Sequence, residues 1–412
     1  MNLDDLGWRI LDGGACAWFD VPPHSAGAAL ALVDRIAGLT DEHGLPDVNW
    51  RTDGMRVRVP GSVIRTPYEQ AVQIAAAAKD LGLTPDPAAL QTVGLAIDAV
   101  DPVAASTFWQ AVLDYEPVWP NDLTDPLHRD PAISFEHLDE PRPLRNRIHV
   151  DVSREPNAVE AVKAALGRDA YGPYGLTMAD GEGNELDLVP GDELSPEPAT
   201  ADWRIQFGAM TFYPTTSPEQ ASRLTAVVAG LSQNAGVPLL VDLRADGVTI
   251  DSGKDQWETD RGGADPRFVA LAARIQTAAR ELDLTPDPSR LRFVQLGFDA
   301  VDVPAVRAFW TTLLGYRHDP RPFVTDIYDP RRINPVLFFQ QMDASDVERR
   351  QQPNRIRLVL GVPSDQIQSR IDAALSAGGQ ILGEQRLEHY TLADPEGNEV
   401  DLILPPWQPQ QA

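Results

Sequence analysis

The sequence predicts an α+β protein in which one series of strands and helices occurs twice. The clearest observation is a long internal repeat. LTPDPAALQTVGLAIDAVDPVAASTFWQAVLDY, starting at Leu83, returns as LTPDPSRLRFVQLGFDAVDVPAVRAFWTTLLGY, starting at Leu284. Self-similarity over such a length is typical of a tandem duplication. The proline-rich stretch VPGDELSPEPAT separates the two copies as an exposed linker would, so the chain consists of a first and a second repeat.

The second segment of each repeat alternates strands with helices. VGLAIDA is an apolar run of strand length, after which Asp101 as N-cap and Pro102 at the first helical position predict a helix. Phe108, Trp109 and Val112 lie three to four residues apart and predict the buried face of that helix. The segment continues with the strands AISFEHL and RIHVDV, the helix PNAVEAVKAALG, and the strands YGLTMAD and NELDLV. This order is a βαβββ module used twice.

The first segment of each repeat has a different pattern. WRILDGGACAWF predicts a strand, which an amphipathic helix and two further strands follow, and PYEQAVQIAAAAKDLGL is a second helix with apolar residues at helical spacing. A small α+β domain therefore precedes each pair of βαβββ modules. We predict four domains, at residues 1–88, 89–191, 201–289 and 290–407.

The charge and the cysteine content limit the partners and the compartment. The chain has 61 acidic and 35 basic residues, a formal net charge of −26. This charge repels phosphate backbones and anionic lipids, so we expect no nucleic acid and no membrane as partner. Cys16 is the single cysteine and cannot form an internal disulfide, which is typical of a reducing compartment. The N-terminal residues show no signal-peptide pattern, and we expect a cytoplasmic protein.

Four separated motifs occur in the same order in both copies: a strand ending in DAVD, a helix carrying FW, a later NRIH, and a closing DPEGNEVDL. Together they resemble the vicinal oxygen chelate superfamily, which contains glyoxalases, extradiol dioxygenases, and fosfomycin and bleomycin resistance proteins. The resemblance covers about Leu90 to Pro190 and about Leu291 to Pro405. It implies two glyoxalase-like domains, in each of which paired βαβββ modules curl into a cup. It also implies a divalent metal held by the first, fourth, fifth and eighth strands.

The resemblance also assigns ligand positions. The first-strand position falls on Gly94 and Gln295, the fourth on Glu136 and Gln340, the fifth on His149 and Arg357, and the eighth on Asp187 and Asp401. In the first copy, Glu136, His149 and Asp187 are thus the predicted catalytic set and a possible divalent-metal site, because two carboxylates and a histidine suit such ions. Without a metal, His149 would act as a general base. The alternative is that His149 and Asp187 only hydrogen-bond across adjacent strands.

Arg357 makes the second copy different. A guanidinium group repels a metal cation, and its planar set of N–H donors would pair with Asp401 or bind a carboxylate or phosphate of a ligand. We therefore predict that the second copy is metal-free. Its predicted ligand-binding residues are Gln295, Gln340, Arg357 and Asp401.

The first segments resemble pterin-4a-carbinolamine dehydratase, from about Trp8 to Leu83 and more faintly from Trp203 to Leu284. The paired catalytic histidines of that family are replaced by Gly44-Leu45 and Gly236-Val237, and His43 stands one place earlier. Dehydration of a pterin needs an imidazole acid and base, so we predict packing or dimerisation modules in place of this activity.

The function predicted from these resemblances is that of a lyase or isomerase of the vicinal oxygen chelate kind, working with or without a metal on an oxygenated metabolite. The alternative is a non-catalytic protein that sequesters a small molecule, as some antibiotic resistance members do. In both cases the partner is a small molecule. The protein is expected to be a monomer with internal pseudo-symmetry or a homodimer.

Overall fold

In the computed structural model of the chain, the described residues are 3–11, 13–22, 25–40, 44–61, 68–254, 256–259, 262–385 and 389–403. His43 and residues 404–407 of the last predicted domain lie outside them. None of the helices formed by the described residues is both long and apolar enough to cross a bilayer.

The first repeat begins with the small α+β segment and continues with the predicted βαβββ modules. Its strands are β1 (Arg9–Leu11), β2 (Gly14–Asp20), β3 (Asp47–Trp50), β4 (Gly54–Pro60), β5 (Thr84–Pro85), β6 (Thr92–Ala99), β7 (Glu116–Trp119), β8 (Asp122–Thr124), β9 (Ile133–His137), β10 (Ile148–Arg154), β11 (Thr177–Ala179), β12 (Glu185–Pro190) and β13 (Asp192–Glu193). Its helices are α1 (Ala26–Gly38), α2 (Tyr68–Asp80), α3 (Pro102–Leu113) and α4 (Pro156–Leu166). As predicted, Asp101 caps α3, and its side chain accepts the N–H of Ala104.

The second repeat follows the same order. Its strands are β14 (Arg204–Gln206), β15 (Gly208–Pro214), β16 (Leu240–Arg244), β17 (Gly247–Asp251), β18 (Arg292–Ala300), β19 (Arg317–His318), β20 (Ile327–Tyr328), β21 (Val336–Gln341), β22 (Ile356–Gly361), β23 (Gln380–Gln385), β24 (His389–Ala393) and β25 (Glu399–Ile403). Its helices are α5 (Pro218–Ala235), α6 (Pro266–Glu281), α7 (Val303–Leu314), α8 (Val347–Gln351) and α9 (Ile367–Ser376). Single 3-10 turns lie at Asp4–Leu6, Pro87–Ala89, Pro198–Thr200, Pro288–Arg290 and Ser364–Gln366.

The described chain divides into two compact units, and each of them combines segments of both repeats. Of the described residues, the first unit contains those up to Leu90 and those of Gly191–Leu291, and the second contains Gln91–Pro190 and those from Arg292 to Ile403. The two predicted small α+β domains therefore fall in one unit. The two glyoxalase-like regions fall in the other and do not form separate bodies.

The first unit is built on one sheet of ten strands that runs through both repeats. The strand order is β1-β2-β4-β3-β16-β17-β15-β14-β13, and β5 pairs with β2. The repeats meet where β3 lies antiparallel to β16, with Asn49 opposite Asp242. At this junction the Asn49 side chain donates to Asp242 Oδ1 at 2.8 Å, and Arg51 Nη1 donates to the same oxygen at 2.8 Å. The resemblance of this unit to a pterin dehydratase stays a prediction.

The second unit contains two sheets, and each sheet takes strands from both repeats. One has the order β11-β12-β10-β18-β21-β20-β19, and the other has the order β23-β24-β25-β22-β6-β9-β8-β7. In the first of these, β10 pairs antiparallel with β18, and in the second, β22 pairs antiparallel with β6. Each sheet therefore joins the second module of one repeat to the first module of the other. We call them the β10–β18 sheet and the β6–β22 sheet.

In each repeat, a buried tryptophan is hydrogen-bonded to an aspartate in a turn. Trp109 of α3 and Trp310 of α7 are fully buried, as expected of core residues. The indole of Trp109 donates to Asp180 at 3.1 Å, and that of Trp310 donates to Asp394 at 3.0 Å. Each aspartate also accepts backbone N–H groups of its own turn, including that of Asn184 in the first copy. The turns DGEGNE in the first copy and DPEGNE in the second thus each hold the tryptophan of one helix.

The repeated Asn-Arg-Ile motif links the two repeats crosswise. The N–H of Arg147 donates to the Asn354 side chain at 2.8 Å, and the N–H of Arg355 donates to the Asn146 side chain at 2.9 Å. The Arg355 guanidinium continues to the Asn184 side chain at 2.9 Å and to three backbone carbonyls of the first repeat. The shared part of the motif is therefore structural, and the copies first differ at the residue that directly follows it, which is His149 in one copy and Arg357 in the other.

Candidate functional site

The β10–β18 sheet carries a cluster of polar side chains to which both repeats contribute. Because side chains alternate along a strand, His149 and Asp151 of β10 point to the same face. Asp151 lies opposite Asp187 of β12 on one side and opposite Gln295 of β18 on the other. We call these four residues the histidine site. The pairing of β10 with β18 brings Gln295 of the second repeat beside residues of the first.

The side chains of the histidine site are close enough to share one ligand. Ligand atoms of His149, Asp151 and Asp187 all lie within 4.8 Å of one another. His149 Nε2 is 3.5 Å from Asp151 Oδ1. The second carboxylate oxygen of Asp151 accepts from the Gln295 amide at 3.0 Å, and Asp187 accepts from the Thr177 hydroxyl at 2.7 Å. Such outer partners orient metal-binding carboxylates, and one imidazole with two carboxylates suits Zn, Mn or Fe.

The His149 imidazole also has capacity left for a ligand. The side chain is buried, and Nδ1 has no hydrogen-bond partner within the described part of the chain. A buried polar atom left in this state costs free energy unless a further group satisfies it. The donor set and this unused nitrogen therefore both fit a site that binds an additional group.

A glycine and an aromatic ring hold the His149 imidazole in place. Gly297 lies opposite His149, and a methyl group at Gly297 would come within 2.3 Å of His149 Cε1 and 2.7 Å of the Phe338 ring. The Phe338 ring stands edge-on to the imidazole, with centroids 5.6 Å apart. At the corresponding place in the β6–β22 sheet, Ala96 lies opposite Arg357. The histidine site therefore needs a residue without a side chain at this position.

We expect Gly297→Ala to displace the His149 imidazole and to lower the free energy of unfolding by about 1–3 kcal/mol, the usual cost of overpacking. The displacement is measured by NMR of the imidazole nitrogens and the stability by urea denaturation. Gly383→Ala is the matched control, because a methyl group there meets nothing within 4 Å. Unchanged imidazole resonances in Gly297→Ala would contradict the packing argument.

The β6–β22 sheet carries the corresponding cluster, in which an arginine takes the place of the histidine. The Arg357 guanidinium donates from Nε to Asp401 at 2.6 Å, from Nη1 to Asp98, and from Nη2 to Glu136. We call these four residues the arginine site. As in the histidine site, a threonine hydroxyl, here that of Thr391, donates to the aspartate at 2.7 Å.

The charges of the arginine site stabilise one another. Burial alone would lower the pKa of Arg357, but attraction to Asp98, Glu136 and Asp401 outweighs it and raises that pKa. Burial would raise the pKa of Asp401, but the charge and hydrogen bond of Arg357 outweigh it and hold that pKa below its usual value. The guanidinium therefore stays charged, and the site keeps its ion pairs at neutral pH.

The structure regroups the residues selected from the sequence. Glu136 does not lie with His149 and Asp187, because β9 belongs to the β6–β22 sheet, where Glu136 is bound to Arg357. Gln295 joins the histidine site. Gln340 is exposed on β21, opposite Asp299. The residues regroup because each sheet is shared by one module of the first repeat and one module of the second.

Sequence reasoning missed Asp151 and Asp98. Asp151 lies two residues after His149, so the alternation of side chains along a strand was the available signal. Asp98 lies on the same predicted strand as Gly94, the position that the resemblance assigns. Both residues become relevant only when the neighbouring strand, β18 or β22, is known.

The sequence matches one protein-family model, that of the glyoxalase-like domain. The match covers residues 94–189 and 295–403, the two regions that form the second unit. The chain is a tandem member of the vicinal oxygen chelate superfamily. No curated protein matches it.

Solved structures similar to this vicinal oxygen chelate protein include glyoxalase I from Zea mays, at 11% identity and a TM-score of 0.35, covering 76% of this chain and 92% of that one. A glyoxalase/bleomycin resistance protein from Albidiferax ferrireducens T118 has 16% identity and a TM-score of 0.19, covering 27% of this chain and 95% of that one. Hypothetical protein SA1046 from S. aureus has 16% identity and a TM-score of 0.22, and the match covers 26% of this chain and 90% of that one.

Proposed function

We propose that the histidine site binds a divalent metal together with a small oxygen-bearing molecule, and that the protein is a lyase or isomerase acting on that molecule. The observation that carries the proposal is the grouping of ligand atoms of His149, Asp151 and Asp187 within 4.8 Å. Membership of the glyoxalase-like family supports a small molecule as the ligand. The two carboxylates give the site the negative charge that a dication needs.

Each residue of the histidine site has a role in this proposal. His149, Asp151 and Asp187 hold the ion, while Gln295 and Thr177 fix the two carboxylates through the hydrogen bonds described above. A bound divalent ion polarises a carbonyl or hydroxyl oxygen and lowers the pKa of neighbouring protons. If the reaction is independent of metal, His149 is the group that takes the proton, because a neutral imidazole nitrogen can act as a general base.

Metal content tests the proposal. We expect about one Zn, Mn, Fe or Ni per chain in protein purified without chelators, and at least a tenfold loss of affinity in His149→Ala and in Asp151→Asn. His137→Ala is the matched control, because this histidine is exposed and lies on β9, in the other sheet. Wild-type protein without metal, or a His149→Ala variant with full metal content, would disprove the metal site.

A sequestering protein is the second candidate, and the arginine site favours it. There the predicted ligand residues Arg357 and Asp401 bind each other, which leaves one of the two clusters closed. Measurements of turnover and affinity separate the candidates. If His149 is a base or metal ligand of an enzyme, His149→Ala abolishes turnover. If the protein only contains its ligand, no turnover is found in the wild type and the affinity of the variant changes little.

A further inference from the structure

Tyr171 lies beside the histidine site. It forms an antiparallel bridge with Thr177, in which the two residues exchange both backbone hydrogen bonds, at 2.8 and 3.1 Å. Thr177 in turn lies opposite Asp187 of β12, and its hydroxyl donates to the Asp187 carboxylate. Residues that lie opposite one another in antiparallel strands point to the same face. The Tyr171 side chain therefore starts on the face of the β10–β18 sheet that carries the histidine site.

The hydroxyl group of Tyr171 holds its ring over that face. It donates to Glu185 of β12 at 2.9 Å, and Glu185 points to the same face as Asp187 because it stands two residues before it. Arg145 Nε donates to the second carboxylate oxygen of Glu185 and fixes this acceptor. Two strand spacings, about 9–10 Å, separate the backbone of Tyr171 from β12. The side chain therefore runs across β11 toward the histidine site.

The Tyr171 ring is exposed although it is fixed. The residue is 47% exposed, while its hydroxyl and both of its backbone hydrogen bonds to Thr177 are in place. Gly172 follows with φ at +81°, and a Cβ atom there would come within 2.8 Å of the Thr177 hydroxyl, so the loop packs closely against β11. An aromatic group that is already held in place loses little conformational entropy when a ligand covers it. The ring is therefore preorganised for contact with a molecule at the histidine site.

The β6–β22 sheet has a different arrangement at this place. There Thr391 donates to Asp401 as Thr177 does to Asp187, but the residue opposite Thr391 is Gly383, which has no side chain. Directly before the repeated Asn-Arg-Ile motif, Arg145 of the first repeat is replaced by Pro353 in the second. The tyrosine ring and the arginine that supports its acceptor thus accompany the histidine and are not part of the frame that both sheets share.

We propose that Tyr171 is a specificity-determining residue of the histidine site, and that its ring packs against a planar, apolar part of the bound molecule. The ligand class is an oxygen-bearing group joined to an aromatic or conjugated ring, because such rings pack favourably on a tyrosine in offset or edge-on geometry. The inference rests on the proposed function, since Tyr171 selects among molecules whose oxygen atoms the histidine site holds.

The experiment compares two probes, benzohydroxamate and acetohydroxamate, which carry the same metal-binding pair of oxygen atoms with and without a phenyl ring. Their Kd values are measured by isothermal titration calorimetry on the full chain, loaded with Mn²⁺ and freed of excess ion, at pH 7.5. We expect benzohydroxamate to bind the wild type about tenfold more tightly than acetohydroxamate. Tyr171→Ala should reduce this ratio by about three- to tenfold and leave the Kd of acetohydroxamate within about twofold of the wild-type value.

Further variants separate the ring from the loop that carries it. Tyr171→Leu keeps apolar bulk without a planar ring and replaces the Ala variant if circular dichroism shows that this does not fold. Tyr171→Phe keeps the ring but loses the bond to Glu185, and its ratio should lie between those of wild type and Tyr171→Ala. Tyr174→Ala is the matched control, because Tyr174 belongs to the same loop and is 86% exposed. An equal fall of the ratio in Tyr174→Ala would overturn the assignment to Tyr171.

Metal content, measured on the same samples, separates this inference from the proposed function. If the wild type holds Mn²⁺ and binds both probes with equal affinity, or if folded Tyr171→Ala and Tyr171→Leu keep the wild-type ratio, the role of Tyr171 is overturned and the proposed function stands. If the wild type holds no Mn²⁺ and binds neither probe, the proposed function fails, and the role of Tyr171 fails with it. A ratio that falls only in the variants of Tyr171 supports both.

Discussion

Replacing Arg355 by Ala is expected to lower the free energy of unfolding of the second unit by about 2–4 kcal/mol. The Arg355 side chain is 1% exposed and belongs to the second repeat. Its guanidinium binds the Asn184 side chain and the carbonyls of Gly183 and Leu144, all in the first repeat. Truncation removes the Arg355 donor from the Gly183 carbonyl and a link between the repeats, whereas Asn184 Oδ1 still accepts from Asn146 and the Leu144 carbonyl from Gln352.

Urea denaturation at pH 7 measures the effect. Arg350→Ala is the matched control, because Arg350 is exposed and its guanidinium donates to the Ala344 carbonyl at 3.2 Å, within the second repeat. It should change the stability by less than about 0.5 kcal/mol. Arg355→Lys should lie between the two, since an ammonium group cannot reproduce the planar fork. A loss below about 1 kcal/mol in Arg355→Ala would contradict a central role for this side chain.

Asp130→Asn is expected to stabilise the protein at pH 8 by roughly 2–4 kcal/mol and to leave it nearly unchanged at pH 4. Burial, followed by repulsion from Asp125, raises the pKa of Asp130 to about 7, and attraction to Arg129 and Arg292 only partly opposes this. One carboxylate oxygen of Asp130 is buried and has no hydrogen-bond partner among the described residues. Its ionised form is therefore destabilised in the folded protein.

The sign of the pH effect follows from proton binding. Between the unfolded pKa of about 3.9 and the folded pKa of Asp130, the folded chain binds a proton that the unfolded chain has released. The free energy of unfolding therefore falls as the pH rises through this range. The neutral Asn side chain removes the part of this decrease that ionisation of Asp130 causes. Thermal denaturation from pH 4 to pH 8 measures it. Asp139→Asn, at a side chain that is 97% exposed, should keep the wild-type slope.

Local features of the second unit were predictable from the sequence. The N-cap at Asp101 and the apolar spacing that includes Trp109 act within one helix, so a few neighbouring residues determine them. The turn-rich connection after α3 was not predicted to contain strands, yet Glu116–Trp119 and Asp122–Thr124 form a hairpin at the edge of a sheet. Such short edge strands, with exposed residues in the first of them, carry little periodic signal.

The composition of the sites was predictable only in part. The repeated motifs selected His149, Asp187, Arg357 and Asp401, because each stands at a fixed distance from a recognisable turn or strand. Which of them meet depends on the pairing of β10 with β18 and of β22 with β6. That pairing joins strands far apart in sequence, and no local pattern distinguishes it from closure within one repeat. Glu136 was therefore assigned to the wrong set.

The exchange of strands between the repeats also determines when the protein can fold during synthesis. When the first repeat leaves the ribosome, β6 and β10 each have one neighbour but lack the other, which the ribosome supplies only with β22 and β18. Unpaired edges of apolar strands readily join other chains. The nascent first repeat therefore has to remain unassociated until translation has passed Gly361, the last residue of β22. A pause in translation between the repeats would prolong this exposure and favour aggregation over folding.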